Sequence, residues 1–437
     1  MPKLCLVTLG CPKNIVEGEH IAGIVEAGGW EITTDIRKAS AAIVHTCSFI
    51  ADAADESVNA INALSGLRKQ GKLEKLIVSG CMVQEKGQAL AARFPQVTGF
   101  IGTGGLERIS GLLGCHAGQH FISGAPGGLL ESAHPRLLSS TLPSAYLRIS
   151  EGCNHKCSFC LIPRLRGRYK SRSMKSLVEE ARELADNGIR ELVLIGQDTS
   201  FYGRDNYGRL ALPELLRKLC RISDLKWIRV LYAHPASLTR ELADTMASNE
   251  KICSYLDMPL QHISTSVLRA MKRPPNARKA LLLLKKYFPA VSLRTTFITG
   301  FPGETEDDFS EMYDCIGEGW FDNLGVFEYS PHPDVASAGI KPAVTPKIAR
   351  QRKKKLMLLQ QKIVAAKNAA LIGSKAETLI ERAVGDLRLN RWMGRTRFMA
   401  PEIDGSIIVH GKTAPGRFVN TAITGATGYD LMGEITA

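Results

Sequence analysis

The chain has 437 residues, of which 44% are hydrophobic and 23% charged, so it is long enough for two or three domains with cores of their own. No apolar run approaches the roughly 20 residues that a membrane span needs, and the first residues do not resemble a secretion signal, so we expect no membrane contact and a cytoplasmic location. The net charge of +13 favours a polyanionic partner such as RNA.

Residues 1–120 contain three apolar runs that predict buried parallel strands, and each run ends at a cysteine. The runs are LCLVTLG, AAIVHT and KLIVSG, and the cysteines are Cys11, Cys47 and Cys81. Because the carboxyl ends of neighbouring parallel strands share one edge of a sheet, the three thiols are predicted to meet there. In a reducing compartment they are expected to be metal ligands rather than disulfides, and three separate buried thiols are the alternative.

Residues 121–137 are rich in Gly, Ser and Pro and predict a linker. Residues 138–370 then alternate strand and helix patterns, with six strands predicted at 145–150, 191–196, 227–232, 254–260, 291–300 and 323–329. Six such units predict an open relative of the β/α barrel, whose chemistry lies at the C-terminal mouth.

The stretch EGCNHKCSFC follows the first of these strands and contains three cysteines: Cys153, Cys157 and Cys160. A structural zinc site or an ordinary four-iron cluster takes four thiolates, but the next cysteine is Cys220. Three thiolates would leave one metal position open, which is typical of a reactive site. A zinc site with a remote fourth ligand such as His155 or His234 is the alternative.

Two stretches hold basic residues and no acidic ones. Six Lys or Arg lie between 161 and 178, and ten lie between 335 and 376, where apolar residues also recur at helical spacing. These stretches predict contact with RNA or a ribonucleoprotein, and the alternative is a solvated helix face and a charged loop.

Residues 371–437 contain five short β runs punctuated by Gly and Pro, which predict a small β-barrel. From residue 374 onward, eight Lys or Arg face seven Asp or Glu. A barrel that grips RNA should be clearly basic, so this balance favours docking to protein.

The Cys-x3-Cys-x2-Cys spacing with Phe159 before the last cysteine resembles the radical SAM superfamily. Along its whole length the chain is similar to the methylthiotransferases of that superfamily, which have an N-terminal domain with three spaced cysteines, a radical SAM core and a C-terminal TRAM barrel. The segments LGCPKN, GCNHKCSFCLIPRLRGRYKSRS, GQDTSFYGRD, YLDMPLQH and APEIDGSI most resemble the branch that modifies an aspartate of the twelfth protein of the small ribosomal subunit. Glu17 and Gly18, where relatives usually have Asp-Ser, depart from that pattern, as does YSPHPDVASA.

The resemblance implies two 4Fe–4S clusters and S-adenosylmethionine (SAM) as cofactors. It implies that Cys153, Cys157 and Cys160 hold the SAM-cleaving cluster, and that Cys11, Cys47 and Cys81 hold a second one. The expected SAM contacts lie in the segments IGQDTSFYG and TTFITGFPGE: Gln197, Asp198, Gly300, Gly303 and Glu304. No catalytic residue is expected beyond the cluster ligands.

The implied reaction adds a methylthio group to the β-carbon of the aspartate and consumes two SAM and a cluster-bound sulfur. The implied partners are the ribosomal protein, free or in the ribosome, a reducing electron donor, a sulfur donor, and ribosomal RNA at the basic stretches. Two alternatives remain: methylthiolation of an adenosine in tRNA, and a redox-inert, metal-containing RNA-binding protein.

Overall fold

The computed structural model describes residues 1–48, 50–115, 120–122, 125–126, 128–129, 134–140 and 142–436. The first part of the chain forms a parallel sheet in the order β2-β1-β3-β4-β5-β6, flanked by helices. Its strands are β1 (Lys3–Thr8), β2 (Glu31–Thr33), β3 (Ala41–Thr46), β4 (Lys75–Gly80), β5 (Gly99–Ile101) and β6 (His120–Ile122), and its helices are α1 (Pro12–Ala27), α2 (Ala51–Lys69), α3 (Cys81–Arg93) and α4 (Ile109–Gly114). All six residues of β3 are buried, as expected for a parallel strand covered on both faces.

The middle of the chain forms a second parallel sheet, in the order β14-β13-β12-β11-β10-β7, with a separate two-stranded pair, β8 and β9. The strands are β7 (Ser144–Arg148), β8 (Ser150–Glu151), β9 (Lys170–Ser171), β10 (Glu191–Ile195), β11 (Trp227–Val230), β12 (Ile252–Asp257), β13 (Ser292–Thr299) and β14 (Asn323–Glu328). The helices are α5 (Ile162–Arg166), α6 (Met174–Asp186), α7 (Leu212–Leu219), α8 (Arg240–Ala247), α9 (Thr265–Ala270), α10 (Ala277–Tyr287), α11 (Glu306–Gly317) and α12 (Pro346–Ala370). Strand order follows chain order, as successive β/α units dictate.

The end of the chain closes into a five-stranded barrel in the order β15-β16-β17-β19-β18. Its strands are β15 (Lys375–Ala383), β16 (Arg391–Thr396), β17 (Ile407–His410), β18 (Phe418–Thr427) and β19 (Asp430–Ile435). Closure removes the unpaired edges that a small antiparallel sheet would otherwise expose.

The concave side of the middle sheet is filled by the other two parts of the chain. Val16 of α1, Trp227 of β11 and Leu379 of β15 belong to one buried apolar cluster. The indole Nε1 of Trp227 donates a hydrogen bond to Glu377 Oε2 at 3.1 Å. The three parts are therefore packed against one another rather than tethered.

These sheets confirm the predicted fold class, an α/β protein with a parallel N-terminal sheet, an open six-stranded core and a small C-terminal barrel. Strands of three residues, such as β2 and β5, were missed because they are too short to show periodicity. The division at residues 120, 137 and 370 stays a prediction: β6 extends into the stretch assigned to the linker, and much of that stretch (123–124, 127 and 130–133) lies outside the described residues. None of the helices in the described part is both long and apolar enough to cross a membrane.

Candidate active site

The first three cysteines lie at one edge of the N-terminal sheet. Cys11 immediately precedes α1, Cys47 immediately follows β3, and Cys81 is the first residue of α3, directly after β4. Strands β1, β3 and β4 are neighbours in parallel register, with Thr8 opposite His45 and Thr46 opposite Gly80. Chain topology thus brings the three thiols to the same carboxyl edge, as the sequence predicts.

A glycine before a cysteine lets two of these loops nest against the third. Gly10 has φ +95°, and a Cβ there would lie 2.5 Å from Cys47 Cβ. Gly80 has φ +98°, and a Cβ there would lie 2.6 Å from the carbonyl oxygen of Thr46. Any other residue would strain the backbone and push the loops apart. The two Gly-Cys pairs are visible in the sequence and could have indicated this packing. An interpretation based only on hydrophobic periodicity does not take them into account.

The second triad lies in the loop between β8 and α5, and each of its sulfur atoms receives one N–H donor. The backbone N–H of His155 donates to Cys153 Sγ at 3.4 Å, and that of Ile162 donates to Cys160 Sγ at 3.4 Å. The guanidinium Nη1 of Arg273 lies 3.6 Å from Cys157 Sγ. Hydrogen bonds of this kind to the sulfurs are typical of iron–sulfur sites.

Burial makes these thiols weak acids until a cation replaces the proton. It raises the pKa of Cys81 and of Cys160 to about 12, and that of Cys153 to about 11. A coordinating metal ion deprotonates such a thiol outright, so the buried sulfurs suit a bound cationic cluster.

The spacing of the sulfurs favours a cluster over a single ion. In the described part of the chain, one group of three His, Cys, Asp or Glu side chains has all its ligand atoms within 4.8 Å of one another, and neither cysteine triad forms such a group. Two zinc–sulfur bonds of about 2.3 Å span at most about 4.6 Å. As the side chains stand, each triad therefore has at least one pair of sulfurs farther apart than the ligands of one zinc ion can be.

The compact group consists of His155, Asp198 and His234, and packing explains it. The two imidazole rings stack with centroids 4.0 Å apart. His234 Nδ1 accepts the N–H of Ala236, so its Nε2 carries the proton and has no lone pair for a metal. Burial, with help from the neighbouring Arg273, lowers the pKa of His234 to about 2, which keeps the ring neutral. These contacts weigh against either histidine as a remote zinc ligand.

The residues expected to contact SAM differ in how many of their polar atoms already form hydrogen bonds within the protein. Gln197 Nε2 donates to Glu151 at 3.3 Å, whereas its Oε1 is buried and has no hydrogen-bond partner among the described residues. Asp198 Oδ2 lies 2.7 Å from His155 Nε2, and its Oδ1 accepts from Ser200 Oγ at 2.6 Å. Of this pair, only Gln197 has a buried oxygen with no hydrogen-bond partner among the described residues.

The glycine-rich segment after β13 forms a closed turn. Glu304 Oε2 accepts the N–H groups of Gly300 and Phe301 at 2.7 and 3.1 Å, and Glu304 Oε1 lies 2.6 Å from Arg352 Nη1. The N–H of Gly303 donates to the carbonyl of Pro342 at 2.8 Å. The SAM-binding role of Gly300, Gly303 and Glu304 stays a prediction, and in this structure their polar groups stabilise the loop.

A buried ionic network that the sequence did not indicate lies between the two cysteine triads. Glu17 Oε1 lies 2.7 Å from Arg148 Nη1 and also contacts Arg166, while Glu17 Oε2 lies 3.0 Å from His45 Nε2. Burial would raise the pKa of Glu17, but the guanidinium of Arg166 and the other partners outweigh it and lower that pKa well below its usual range. Glu17, one of the residues that depart from the family pattern, is therefore a buried link between the two sheets.

The edge of the N-terminal sheet also faces the mouth of the middle sheet. Lys13, two residues after Cys11, donates from Nζ to the carbonyl of Gly196 at 3.2 Å, just beyond the end of β10. Leu161 and Leu165, which follow Cys160, belong to the same buried cluster as Cys81. The loops that carry the two triads are therefore packed against each other.

The first basic stretch is less available to RNA than its composition suggests. Arg166 and Arg172 are buried, and Arg172 Nη1 pairs with Glu180 Oε2 at 2.6 Å. In the second stretch, Arg352 is likewise buried against Glu304. Contact with RNA stays a prediction and is restricted to the exposed remainder, such as Arg168.

Comparison with known proteins matches all three parts of the chain. Residues 147–316 match the radical SAM superfamily, residues 3–102 match the uncharacterized protein family UPF0004, and residues 372–436 match the TRAM domain. The chain is 42% identical over 434 residues to the ribosomal protein uS12 methylthiotransferase RimO of Endomicrobium trichonymphae, covering 99% of this chain and 98% of that protein. It is 39% identical over 442 residues to the protein of the same name from Clostridioides difficile, covering 100% and 99%.

Solved structures share the fold at low identity. The radical S-adenosylmethionine methyltransferase TsrM of Kitasatospora setae, with cobalamin and a [4Fe-4S] cluster bound, aligns with a TM-score of 0.56 and 15% identity over 77% of this chain and 74% of that chain. The cobalamin-dependent radical enzyme OxsB aligns with a TM-score of 0.51 and 13% identity over 83% and 56%. At this identity the likeness concerns the architecture alone.

Proposed function

This chain belongs to the RimO family of radical SAM methylthiotransferases, and on that premise we propose that it adds a methylthio group to the β-carbon of an aspartate in ribosomal protein uS12. Identity of about 40% along the whole chain supports the same substrate protein, because it includes the parts outside the radical SAM core. The choice of aspartate and the use of two SAM molecules per turnover rest on the family resemblance.

We further propose that Cys153, Cys157 and Cys160 hold the SAM-cleaving 4Fe–4S cluster, and that Cys11, Cys47 and Cys81 hold the second. Such clusters supply, when bound, the electron that cleaves SAM and an open iron for the sulfur that is transferred. The observation that carries the assignment is that Cys11, Cys47 and Cys81 share one edge of the parallel sheet and that Cys81 shares a buried cluster with Leu161, which follows Cys160.

In this proposal the chain's own residues bind SAM and hold the N-terminal sheet in place. Gln197 offers its buried Oε1 to a donor group of SAM. Lys13 and the network around Glu17 hold the N-terminal sheet against the end of the core sheet, and Cys81 lies in a buried apolar cluster with Leu161 and Leu165. An external electron donor and a sulfur donor complete the reaction, whose co-products are methionine, 5′-deoxyadenosine and S-adenosylhomocysteine.

Anaerobic reconstitution with iron and sulfide analysis tests the assignment. We expect about eight irons in the unsubstituted protein and about four in each triple cysteine-to-alanine variant. The variant without Cys11, Cys47 and Cys81 should still cleave SAM under dithionite, whereas the variant without Cys153, Cys157 and Cys160 should not. A finding of one zinc per triad would support the redox-inert alternative instead.

Mass spectrometry of digested substrates tests the choice of target. Incubation with uS12 and with tRNA should give methylthio-aspartate in the protein digest, and a uS12 variant with asparagine at the target position should remain unmodified. Methylthio-adenosine in the tRNA digest, with unmodified uS12, would overturn the proposed substrate.

A further inference from the structure

One guanidinium group joins the two cysteine triads. Arg166 ends α5, six residues after Cys160, and its side chain is only 2% exposed. Its Nη2 lies 3.2 Å from Cys81 Sγ and donates to Asn14 Oδ1 at 2.7 Å. Arg166 therefore reaches from the loop of one triad to a sulfur of the other.

Carboxylates fix the orientation of this guanidinium. Arg166 Nη1 contacts Glu17 Oε1 and lies 3.7 Å from Glu151 Oε2. Arg148 shares both of these carboxylates at 2.7 Å each. The charges of the two guanidinium groups and the two carboxylates thus cancel. Arg166 therefore acts on the Cys81 sulfur mainly through its oriented N–H group and not through a net positive charge.

We propose that Arg166 is a positioning residue for the cluster held by Cys11, Cys47 and Cys81: it hydrogen-bonds the Cys81 sulfur, raises the reduction potential of that cluster, and holds it at a set distance from the SAM-cleaving site. The inference rests on the proposed function for the identity of the cluster. An N–H donor stabilises the extra negative charge that reduction places on the sulfurs, and a low-dielectric interior strengthens this effect. The Arg273 contact at Cys157 is longer, at 3.6 Å against 3.2 Å, so the N-terminal triad has the closer guanidinium.

The test uses full-length protein in which Cys153, Cys157 and Cys160 are alanine, so that only the cluster of interest is present. Arg166→Gln removes the guanidinium donors. Arg166→Lys keeps a positive charge but lacks the planar set of N–H donors that a guanidinium has. Arg164→Gln is the matched control, because Arg164 lies in the same helix, is exposed and pairs with Asp334. Redox titration monitored by electron paramagnetic resonance then gives the midpoint potential of each protein.

We expect Arg166→Gln to lower the potential, with the ratio of reduced to oxidised cluster falling at least tenfold at a fixed ambient potential, about 59 mV for one electron. The midpoint potential of Arg166→Lys should lie between those of Arg166→Gln and the background protein. The midpoint potential of Arg164→Gln should equal that of the background protein. Because Arg166→Gln can fail to fold, a second measurement leaves Arg166 in place: with ¹⁵N-labelled arginine, pulsed resonance of the reduced cluster should detect a nitrogen coupling.

The outcomes separate the inference from the proposed function. A background protein with no cluster overturns the proposed assignment of Cys11, Cys47 and Cys81, and with it this inference. A bound cluster with unchanged potential in folded Arg166 variants, or with no coupling to arginine nitrogen, overturns the role of Arg166 alone.

Discussion

The ammonium of Lys13 lies 3.7 Å from the centroid of the Tyr232 ring. Lys13 belongs to the helix that begins after Cys11, and Tyr232 lies just beyond the end of β11, with φ +60° and its N–H 3.3 Å from Asp257 Oδ2. This contact joins the N-terminal sheet to the mouth of the core sheet through one cation and one ring. A residue other than glycine at positive φ is strained, so the surrounding structure holds the ring in place.

Replacing Lys13 with methionine should uncouple SAM cleavage from product formation. Loss of a largely desolvated cation–π contact costs about 1–2 kcal/mol, or roughly 5- to 30-fold in the population with the N-terminal sheet seated on the mouth. We expect the ratio of 5′-deoxyadenosine to modified uS12, measured by mass spectrometry, to rise by a factor in that range. Lys86→Met, at an exposed position of α3, is the control. An unchanged ratio for Lys13→Met would show that the contact does not seat the sheet.

Replacing Gly80 with alanine should remove the N-terminal cluster selectively. The new Cβ would lie 2.6 Å from the Thr46 carbonyl oxygen at φ +98°, so the Cys47 and Cys81 loops would separate. Iron analysis should then give about half of the unsubstituted content, with SAM cleavage retained. Gly66→Ala, within α2 and with no neighbour within 4 Å of the new Cβ, should keep full iron content. Full iron in Gly80→Ala would contradict the nesting of these loops.

Replacing Gln197 with alanine should weaken SAM binding by roughly fivefold, since one hydrogen bond contributes about 1 kcal/mol. Glu304→Gln offers the contrast. Its oxygens already bond to Gly300, Phe301 and Arg352, so that change should lower the melting temperature and leave the Kd for SAM unaltered. Calorimetric titration of each reconstituted variant with SAM measures the Kd, and thermal unfolding measures the melting temperature. Equal loss of affinity in the two variants would place SAM at the Glu304 turn.

Replacing Glu191 with glutamine should destabilise the junction between the core sheet and the C-terminal barrel. Glu191 Oε2 lies 2.5 Å from Arg395 Nη2 and Glu191 Oε1 lies 2.8 Å from Arg229 Nε, all of them buried. Breaking such a pair costs about 3–5 kcal/mol, because a buried charge loses its partner. Urea unfolding should report this loss. Glu241→Gln, in an exposed pair with Arg217, should change stability by less than about 1 kcal/mol.

The same carboxylate predicts how stability depends on pH. Burial would raise the pKa of Glu191, but Arg395 and Arg229 outweigh it and lower that pKa from 4.5 to about 2. Because the folded-state pKa lies below that of the unfolded chain, the stabilisation is complete above about pH 4.5 and is lost as the pH falls toward 2. Unfolding curves measured across this range should converge for the unsubstituted protein and Glu191→Gln. A constant difference between them down to pH 2 would contradict the ion triad.

Local pattern predicted most of the fold because it reflects burial, which acts residue by residue. The run Glu191–Ile195 is a fully buried strand, and its apolar character alone distinguishes it. The cysteines were predicted to converge because parallel topology forces Cys11, Cys47 and Cys81 to one edge whatever the details of packing. Which arginines of the 161–178 stretch are exposed could not be predicted, because a buried arginine and a solvated one look alike in sequence.

The amino-acid sequence by itself determined the order of strands and helices, the two groups of three thiols and the family to which the chain belongs, since each depends on residue type and spacing along the chain. Only the tertiary structure decided that Arg166 points at Cys81, that Glu17 is a buried ion-pair partner and that Gln197 Oε1 has no partner in the described part of the chain. These properties arise from pairs of groups far apart in the chain, such as Glu17 and Arg166. Their electrostatic energy depends on distance and burial, neither of which is written in residue type.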